Sequence, residues 1–262
     1  MQQFYDAAHV AKFDETDWKA KVEGFKGIQD QIEQLKPESV ILEATARFVK
    51  TKMKDWKESN LNLMKEAIAT LKKMTESCER IPKRAVWVYS EFLADKIGDV
   101  KFTALVKELL VTLADFVTAK FVSAQLIKHG STAKAPGNLK ESCLLLASLL
   151  EEWGAGMMPV KECIDFATLC AANANPQVRN ASLQLFSGLY KHLGEAVRNF
   201  LTDIKESTMK LIEEEFKKVT PYKKGEFKSS RALKGDAQDE VGAAGSAPAN
   251  IMDSLPREDI SK

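Results

Sequence analysis

Apolar residues recur at helical spacing along most of the chain. From about residue 3 to residue 219 they follow one another at intervals of three and four, which gives each stretch a single apolar stripe. Two clear stripes are formed by Leu61, Met64, Ile68, Leu71 and Met74, and by Leu183, Phe186, Leu189, Tyr190 and Leu193. Alternating β-branched runs and tight hairpin dipeptides are almost absent. The pattern predicts an all-α body.

Proline and glycine divide this helical material into segments of about 10 to 20 residues, an ordinary helix length. The prolines stand where a helix could begin and the glycines where one could end. They are Pro37, Pro82, Pro136, Pro159 and Pro176 at the starts, and Gly98, Gly130, Gly154 and Gly194 at the ends. The division predicts eleven or twelve helices.

A short motif recurs through the helical region. Asp-Trp-Lys occurs at 17–19 and again at 55–57, and the same phase gives GDVK at 98–101, GNLK at 137–140 and PQVR at 176–179. Each copy places an apolar and a basic residue at the predicted front of an amphipathic helix. The apolar members are Trp18, Trp56, Val100, Leu139 and Val178, and the basic members are Lys19, Lys57, Lys101, Lys140 and Arg179. A period of about 40 residues with two helices per period is typical of HEAT and armadillo repeats. The sequence predicts a HEAT-repeat solenoid.

In such a solenoid, equivalent positions of successive repeats line up along one edge. The motif therefore predicts a row of turns carrying aromatic and basic side chains outward. Trp18 and Trp56 lie between charged residues, and exposed tryptophan is enriched where partners bind. The alternative is internal: the apolar member packs inward and the basic one bonds within the fold. That alternative is favoured for Val178 and stays open for Arg179.

The other two tryptophans lie in or at the end of apolar stretches. Trp87 belongs to the run AVWVYSEFL, and Trp153 follows SLLEE. We expect both to be core residues.

Composition narrows the possible functions. The formal net charge is +1, which argues against binding to nucleic acid or membrane through an overall positive charge. The four cysteines form no C-x-x-C pair, no signal peptide is visible, and the longest apolar run, at 143–150, is too short to span a bilayer. These features predict a soluble intracellular protein.

Catalytic motifs are not recognisable. His9, His129 and His192 have no second metal ligand or nucleophile at useful spacing, and no glycine-rich phosphate loop follows a predicted strand. We expect no enzyme activity, no metal and no cofactor.

The order and spacing of these motifs resemble a TOG domain, the tubulin-binding module of the large microtubule polymerases. The resemblance covers residues 1–219 and includes NPQVRNASLQLFSGLYKHLG in the fifth repeat. The stretches MKDWKESNLNLM, LADKIGDVK and IEEEFKKV are most similar to the third TOG domain of such an array. The resemblance implies a flat paddle of about six HEAT repeats that binds αβ-tubulin through the intra-repeat turns of one narrow edge.

The resemblance also implies roles for individual residues. Trp18 is expected to pack on β-tubulin, while Arg179, Lys101 and Lys140 meet acidic surface toward the α subunit. Trp56 is larger than the apolar residue usual in the second turn. The basic residue of the fourth turn is either Lys134 or Lys140. The tubulin-binding set is Trp18, Lys19, Trp56, Lys57, Lys101, Lys140 and Arg179.

The implied setting is the cytoplasm and its microtubules, with spindle poles and centrosomes. The partners are αβ-tubulin, the microtubule plus end and further TOG domains of the same longer chain, with no nucleic acid and no membrane. The alternative is a HEAT-repeat scaffold that binds a helix or peptide of a regulatory or transport partner in a concave groove.

Composition changes at residue 220. Residues 220–262 are expected to form a basic and then flexible linker leading toward a next domain. Its basic residues are Lys223, Lys224, Lys228, Arg231 and Lys234. They could touch the acidic microtubule surface weakly or could merely keep the linker soluble.

Overall fold

A computed structural model describes residues 1, 3–35, 38–202 and 204–234. Within those residues it contains eleven α-helices and no strand. The helices are α1 (Ala7–Ala11), α2 (Trp18–Leu35), α3 (Ser39–Lys52), α4 (Leu61–Glu76), α5 (Lys83–Lys96), α6 (Thr103–Phe116), α7 (Ala119–Gly130), α8 (Pro136–Trp153), α9 (Val160–Ala171), α10 (Pro176–Leu193) and α11 (Glu206–Phe216). The all-α class is confirmed.

Consecutive helices alternate between two layers. α2, α4 and α6 pack side by side in one layer, and α3, α5 and α7 pack side by side in the other. Farther along, α8 packs on α10, which also contacts α9 and α11. A 3-10 segment, Gly194–Phe200, lies between α10 and α11 and pairs with α11 in the position of a first helix. The apolar stripes meet between the layers, which is the continuous core of a solenoid.

Local chemistry explains the helix ends. The Asn60 side chain accepts hydrogen bonds from the backbone N–H groups of Asn62 and Leu63 at the start of α4. Pro136 is the first residue of α8, where its missing N–H costs nothing. Gly154 and Gly194 end α8 and α10 with φ angles of 79° and 57°, which favour glycine.

Trp87 corrects one sequence expectation. Its side chain is 57% exposed on α5, whereas Trp153 is 4% exposed and therefore confirmed as core. The run AVWVYSEFL is mostly apolar, and its composition drew attention away from Glu91, which follows Trp87 by four residues on the same, exposed side of the helix. Val86 and Tyr89 are buried, which turns position 87 to the outer side of the helix.

The first part of the expected linker lies against the helices. The backbone N–H groups of Tyr222, Ser230 and Lys234 donate to the carbonyls of Lys191, Glu152 and Asp115 at 2.7, 3.0 and 2.7 Å. All three acceptors lie near the C-terminal ends of α10, α8 and α6. Residues 220–234 therefore follow one edge of the body. The expected flexible part, from residue 235 to residue 262, lies outside the described residues.

One contact of this segment makes stability depend on pH. The His192 imidazole lies 5.0 Å from the Tyr222 ring and 4.6 Å from the Phe227 ring, measured between centroids. Burial, and then the positive charge of Lys191, lower the His192 pKa from its ordinary value of 6.5, against the opposing effect of Glu151. The unfolded chain then takes up this proton first. The neutral His192 therefore contributes its full stabilisation of the folded state above pH 6.5, and this contribution is lost as the pH falls below that value.

We expect the melting temperature to fall between pH 7.5 and pH 5.5, and His192→Gln to make that fall smaller. Burial also lowers the pKa of His129, which therefore accounts for part of the fall that remains in His192→Gln. Thermal melts of the wild type, His192→Gln and His129→Gln at both pH values test this. An equal fall in the wild type and His192→Gln would contradict it.

Candidate functional site

Five turns join an odd-numbered helix, or the 3-10 turn after α1, to the following even-numbered helix. They are residues 15–17, 53–60, 97–102, 131–135 and 172–175. We call them the turn row. Because paired helices run in opposite directions, all five lie at the same edge.

Contacts between repeats support that alignment. Lys52, beside the second turn, pairs with Asp14, beside the first, at 2.6 Å. The backbone N–H of Gly98 in the third turn donates to Asn138 Oδ1, in the first turn of α8, at 3.1 Å. Since α8 packs on α10, the fifth turn continues the row.

The first and third turns have the same local geometry. Asp17 Oδ1 accepts the backbone N–H of Lys19 at 2.9 Å, and Asp99 Oδ1 accepts that of Lys101 at 3.0 Å. This bond fixes the residue between donor and acceptor outside the helix pair. Trp18 is 38% exposed and Val100 is 93% exposed. Both turns present one apolar and one basic side chain to solvent.

The second Asp-Trp-Lys triplet is built differently. Lys54, Asp55 and Trp56 all adopt left-handed backbone conformations, with φ angles of 51°, 54° and 66°. The Trp56 indole is half-buried, stacks on Phe92 of α5 at 4.3 Å between centroids, and donates from Nε1 to the Val88 carbonyl at 3.2 Å. Trp56 precedes α4 instead of opening it. The two triplets are therefore not equivalent, and the expectation that Trp56 is exposed like Trp18 is corrected.

The fourth and fifth motifs lie inside their helices. Leu139 and Val178 are buried in α8 and α10, so the internal alternative for Val178 is the one observed. Arg179 also bonds internally: its Nη1 donates to the carbonyls of Asn173 and Ala174 at 2.9 and 2.7 Å. This guanidinium braces the fifth turn.

The lysines of the motif differ in exposure and in ion pairing. Lys19, Lys57 and Lys101 are exposed, and Lys19 Nζ lies 6.0 Å from the centre of the Trp18 ring. Lys140 Nζ lies 3.1 Å from Glu141 Oε1, whereas Lys134, the other candidate of the fourth turn, is exposed. The exposed cations thus occur at four of the five turns.

The Asp and Asn side chains that accept a backbone N–H two residues later are placed more regularly in the turns than the Trp-Lys motif is. The Asn175 side chain accepts the N–H of Gln177 at 2.8 Å, and Asn60 accepts that of Asn62 at 2.9 Å, as the two aspartates do in the first and third turns. Sequence reasoning missed Asn62 and Gln177, which lie in the first turns of α4 and α10, directly after the second and fifth turns of the row. An Asp or Asn two residues before a polar residue, at the first, second, third and fifth turns, was the available signal.

The arrangement is suited to contact with a flat surface. It offers an exposed indole and lysines spread along one edge. Within the described ranges, no group of three or more histidine, cysteine or acidic side chains is placed to hold a metal ion. No helix of that part of the chain is both long and apolar enough to cross a membrane.

Known proteins match nearly the whole length of the chain. It is 25% identical over 253 residues to MOR1 of Arabidopsis thaliana and 24% identical over 254 residues to centrosomal protein 224 of Dictyostelium discoideum. These matches cover 96% and 94% of the chain but only 12% of each relative.

The fold is also similar to solved structures. TOG3 of Drosophila melanogaster Mini spindles matches with a TM-score of 0.77 at 18% identity, covering 87% of this chain and 99% of that domain. A structure of microtubule polymerases with TOG domain arrays matches with a TM-score of 0.68 at 16% identity, covering 94% of this chain and 54% of that one. The first of these is itself a third TOG domain, as the motifs indicated.

The family model described as "XMAP215/Dis1/CLASP, TOG domain" matches residues 7–216, most of the chain and nearly all of its helical body. With the row of turns and the paired helices already established, that match identifies the chain as a member of the XMAP215/Dis1/CLASP TOG-domain family.

Proposed function

We propose that this chain is a non-catalytic tubulin-binding module that binds αβ-tubulin through the turn row. In this proposal it forms part of a longer microtubule polymerase with further TOG domains. That protein acts at microtubule plus ends and spindle poles to promote growth. The matched array structure concerns tubulin recruitment and assembly by microtubule polymerases, which supports the same partner.

The observation that carries the proposal is the exposed Trp18 side chain. Asp17 caps α2 and leaves the indole at the end of the row instead of in the core. An exposed indole is costly in water and becomes favourable when a partner covers it, which is why tryptophan dominates many interfaces. Lysines along the row add attraction to an acidic surface and mainly speed association.

We expect Trp18→Ala to weaken tubulin binding by roughly 30-fold or more, which corresponds to about 2 kcal/mol. Fluorescence titration of unpolymerised tubulin with the wild type and the variant measures this. Trp87→Ala is the matched control, because Trp87 is also exposed but lies on a helix away from the row. It should bind as the wild type does.

Lys101→Ala should weaken binding by no more than roughly fivefold, and less at high salt, because exposed charges are screened. No binding by the wild type would remove the proposal. Loss of binding in Trp87→Ala with retention in Trp18→Ala would move the tubulin-binding surface from the turn row to the exposed face of α5.

A further inference from the structure

The outer side of the odd-numbered layer carries an exposed indole. Trp87 is 57% exposed, although it lies on a helix of the body and not in a turn. Its ring contacts the half-buried Phe121 of α7, at 6.3 Å between centroids and an interplanar angle of 45°. That contact leaves more than half of the Trp87 side chain in water. Exposure of so large an apolar ring is costly unless a partner covers it.

Two sets of outward-facing residues adjoin around Trp87. On α5 and on α3, residues that are exposed or half-exposed follow one another at intervals of three and four, which places each set on one side of its helix. Because α3 and α5 pack side by side, the two sets lie next to each other, and Arg84 of α5 pairs with Glu43 of α3 across the boundary. We call the combined surface the α5 face, and its members are Val40, Glu43, Arg47, Arg84, Trp87, Glu91 and Phe121.

The arginines of the α5 face outnumber the carboxylate that they pair with. Arg47 donates from Nε and Nη2 to Glu43 Oε1 at 3.0 and 2.9 Å, and Arg84 Nε lies 2.5 Å from Glu43 Oε2. Two guanidinium groups thus share one carboxylate. Both arginine side chains stay more than half exposed. A guanidinium has more N–H donors than these contacts use, so both arginines can bond a second carboxylate.

Trp87 and the two arginines indicate what kind of partner fits. Tryptophan and arginine are enriched among the residues that dominate the binding energy of protein interfaces. An apolar or aromatic side chain of a partner covers an indole, and a carboxylate bonds a guanidinium through parallel hydrogen bonds. A second copy docked on the same surface about a two-fold axis would set arginine against arginine, which like-charge repulsion opposes. Glu91, four residues after Trp87 on the same side, opposes a continuous polyanion such as nucleic acid.

The α5 face is separate from the turn row. The second and third turns of the row follow the C-terminal ends of α3 and α5, whereas Val40, Arg84 and Trp87 lie within the first two turns of these helices. Trp87 stands nine residues before the end of α5, which is about 14 Å along the helix axis. A partner on the α5 face therefore leaves the turn row accessible.

We propose that the α5 face is a second protein-binding surface, and that it takes an acidic segment of a partner protein that also carries an aromatic side chain. The aromatic side chain covers the Trp87 ring, and carboxylates of the segment bond the remaining N–H groups of Arg84 and Arg47. The inference concerns a surface outside the turn row and does not depend on which partner the row binds.

The probe that tests this is a fluorescein-labelled peptide of glutamate and phenylalanine, titrated with the full chain and followed by fluorescence anisotropy. Trp87→Ala and Arg84→Glu should each weaken its binding roughly tenfold or more relative to the wild type. Leu211→Ala and Lys224→Glu are the matched controls, because they make the same kinds of change at exposed positions elsewhere. Both should bind as the wild type does. Since all four positions are exposed, thermal melts of the variants should stay close to that of the wild type.

A second peptide, in which alanine replaces phenylalanine, isolates the contribution of the ring. It should bind the wild type roughly fivefold more weakly or less tightly still, and Trp87→Ala should change its binding little. Equal binding of the two peptides by the wild type would overturn the role of Trp87. No binding of the first peptide by the wild type, or equal weakening in Leu211→Ala and Trp87→Ala, would overturn the site.

Two further outcomes would assign the α5 face to a different occupant and overturn the proposal. One is a wild-type dimer in sedimentation velocity that Trp87→Ala dissociates, which would make the occupant a second copy. The other is a single-stranded oligonucleotide that binds the wild type more tightly than the peptide does and loses affinity in Trp87→Ala, which would make it nucleic acid.

Discussion

Trp56→Ala is expected to lower the free energy of unfolding by about 3 kcal/mol, the lower end of values for removing a packed aromatic side chain. The indole stacks on Phe92 at an interplanar angle of 11° and its N–H donates to the Val88 carbonyl. The variant loses the ring contact with Phe92 and the additional hydrogen bond that Nε1 donates to the Val88 carbonyl. Fewer contacts would then hold the second turn against α5.

Relaxation of the strained backbone of this turn limits the expected loss of stability. Lys54, Asp55 and Trp56 are three successive non-glycine residues with positive φ. Each such residue costs roughly 1–2 kcal/mol relative to ordinary backbone. Packing of the indole offsets part of that cost, so its removal should also let the turn change conformation.

Urea unfolding of the wild type, Trp56→Ala and Trp56→Phe measures this effect. Trp56→Phe keeps an aromatic ring against Phe92 and should lose about 1 kcal/mol, a typical net value for one hydrogen bond. Trp18→Ala, in the other triplet, should leave stability within about 0.5 kcal/mol of the wild type. Equal losses for Trp18→Ala and Trp56→Ala would contradict the distinction between the two triplets.

Gly98→Ala is expected to destabilise the protein by about 3 kcal/mol, as severe overpacking does. A Cβ on Gly98 would lie 2.4 Å from the backbone nitrogen of Asn138 and 2.4 Å from the carbonyl carbon of Gly137. Those atoms belong to the backbone at the start of α8, so they cannot move aside as a flexible side chain can. The third turn and α8 must separate.

Separation would also break the bond between the Gly98 N–H and the buried Asn138 side chain. An unpaired buried amide adds a further desolvation cost. Gly156→Ala is the matched control, because a Cβ there meets nothing within 4 Å. Urea unfolding of both variants should show a large loss for Gly98→Ala and almost none for Gly156→Ala. Near-equal stabilities would show that the close approach is not a constraint.

Sequence reasoning succeeded where the cause is local. Apolar periodicity predicted the helices, because a stripe at intervals of three and four can be buried only if the segment is helical. Pro136, Pro176, Gly154 and Gly194 marked helix ends for reasons contained in their own backbones. The exposed position predicted for Trp18 agrees with its place beside the capping Asp17.

It failed where the cause lies in another repeat. Trp56 and Trp18 have the same immediate neighbours, but only Trp56 has Phe92 within reach. Trp87 belongs to a mostly apolar run, of which packing buries Val86 and Tyr89 and leaves Trp87 exposed. Arg231 looked like part of a linker, whereas its partners Glu152 and Asp115 lie 79 and 116 residues away in the sequence.

By itself, then, the sequence determined that this chain is a stack of paired helices with like-placed turns, because hydrophobic spacing, capping residues and repeat period act over a few residues or one repeat. The tertiary structure alone decided which aromatic ring remains outside, which arginine braces a turn, and that residues 229–234 join α6 to α8. Burial and ion pairing depend on atoms brought together only by folding, so no local pattern of residues encodes them.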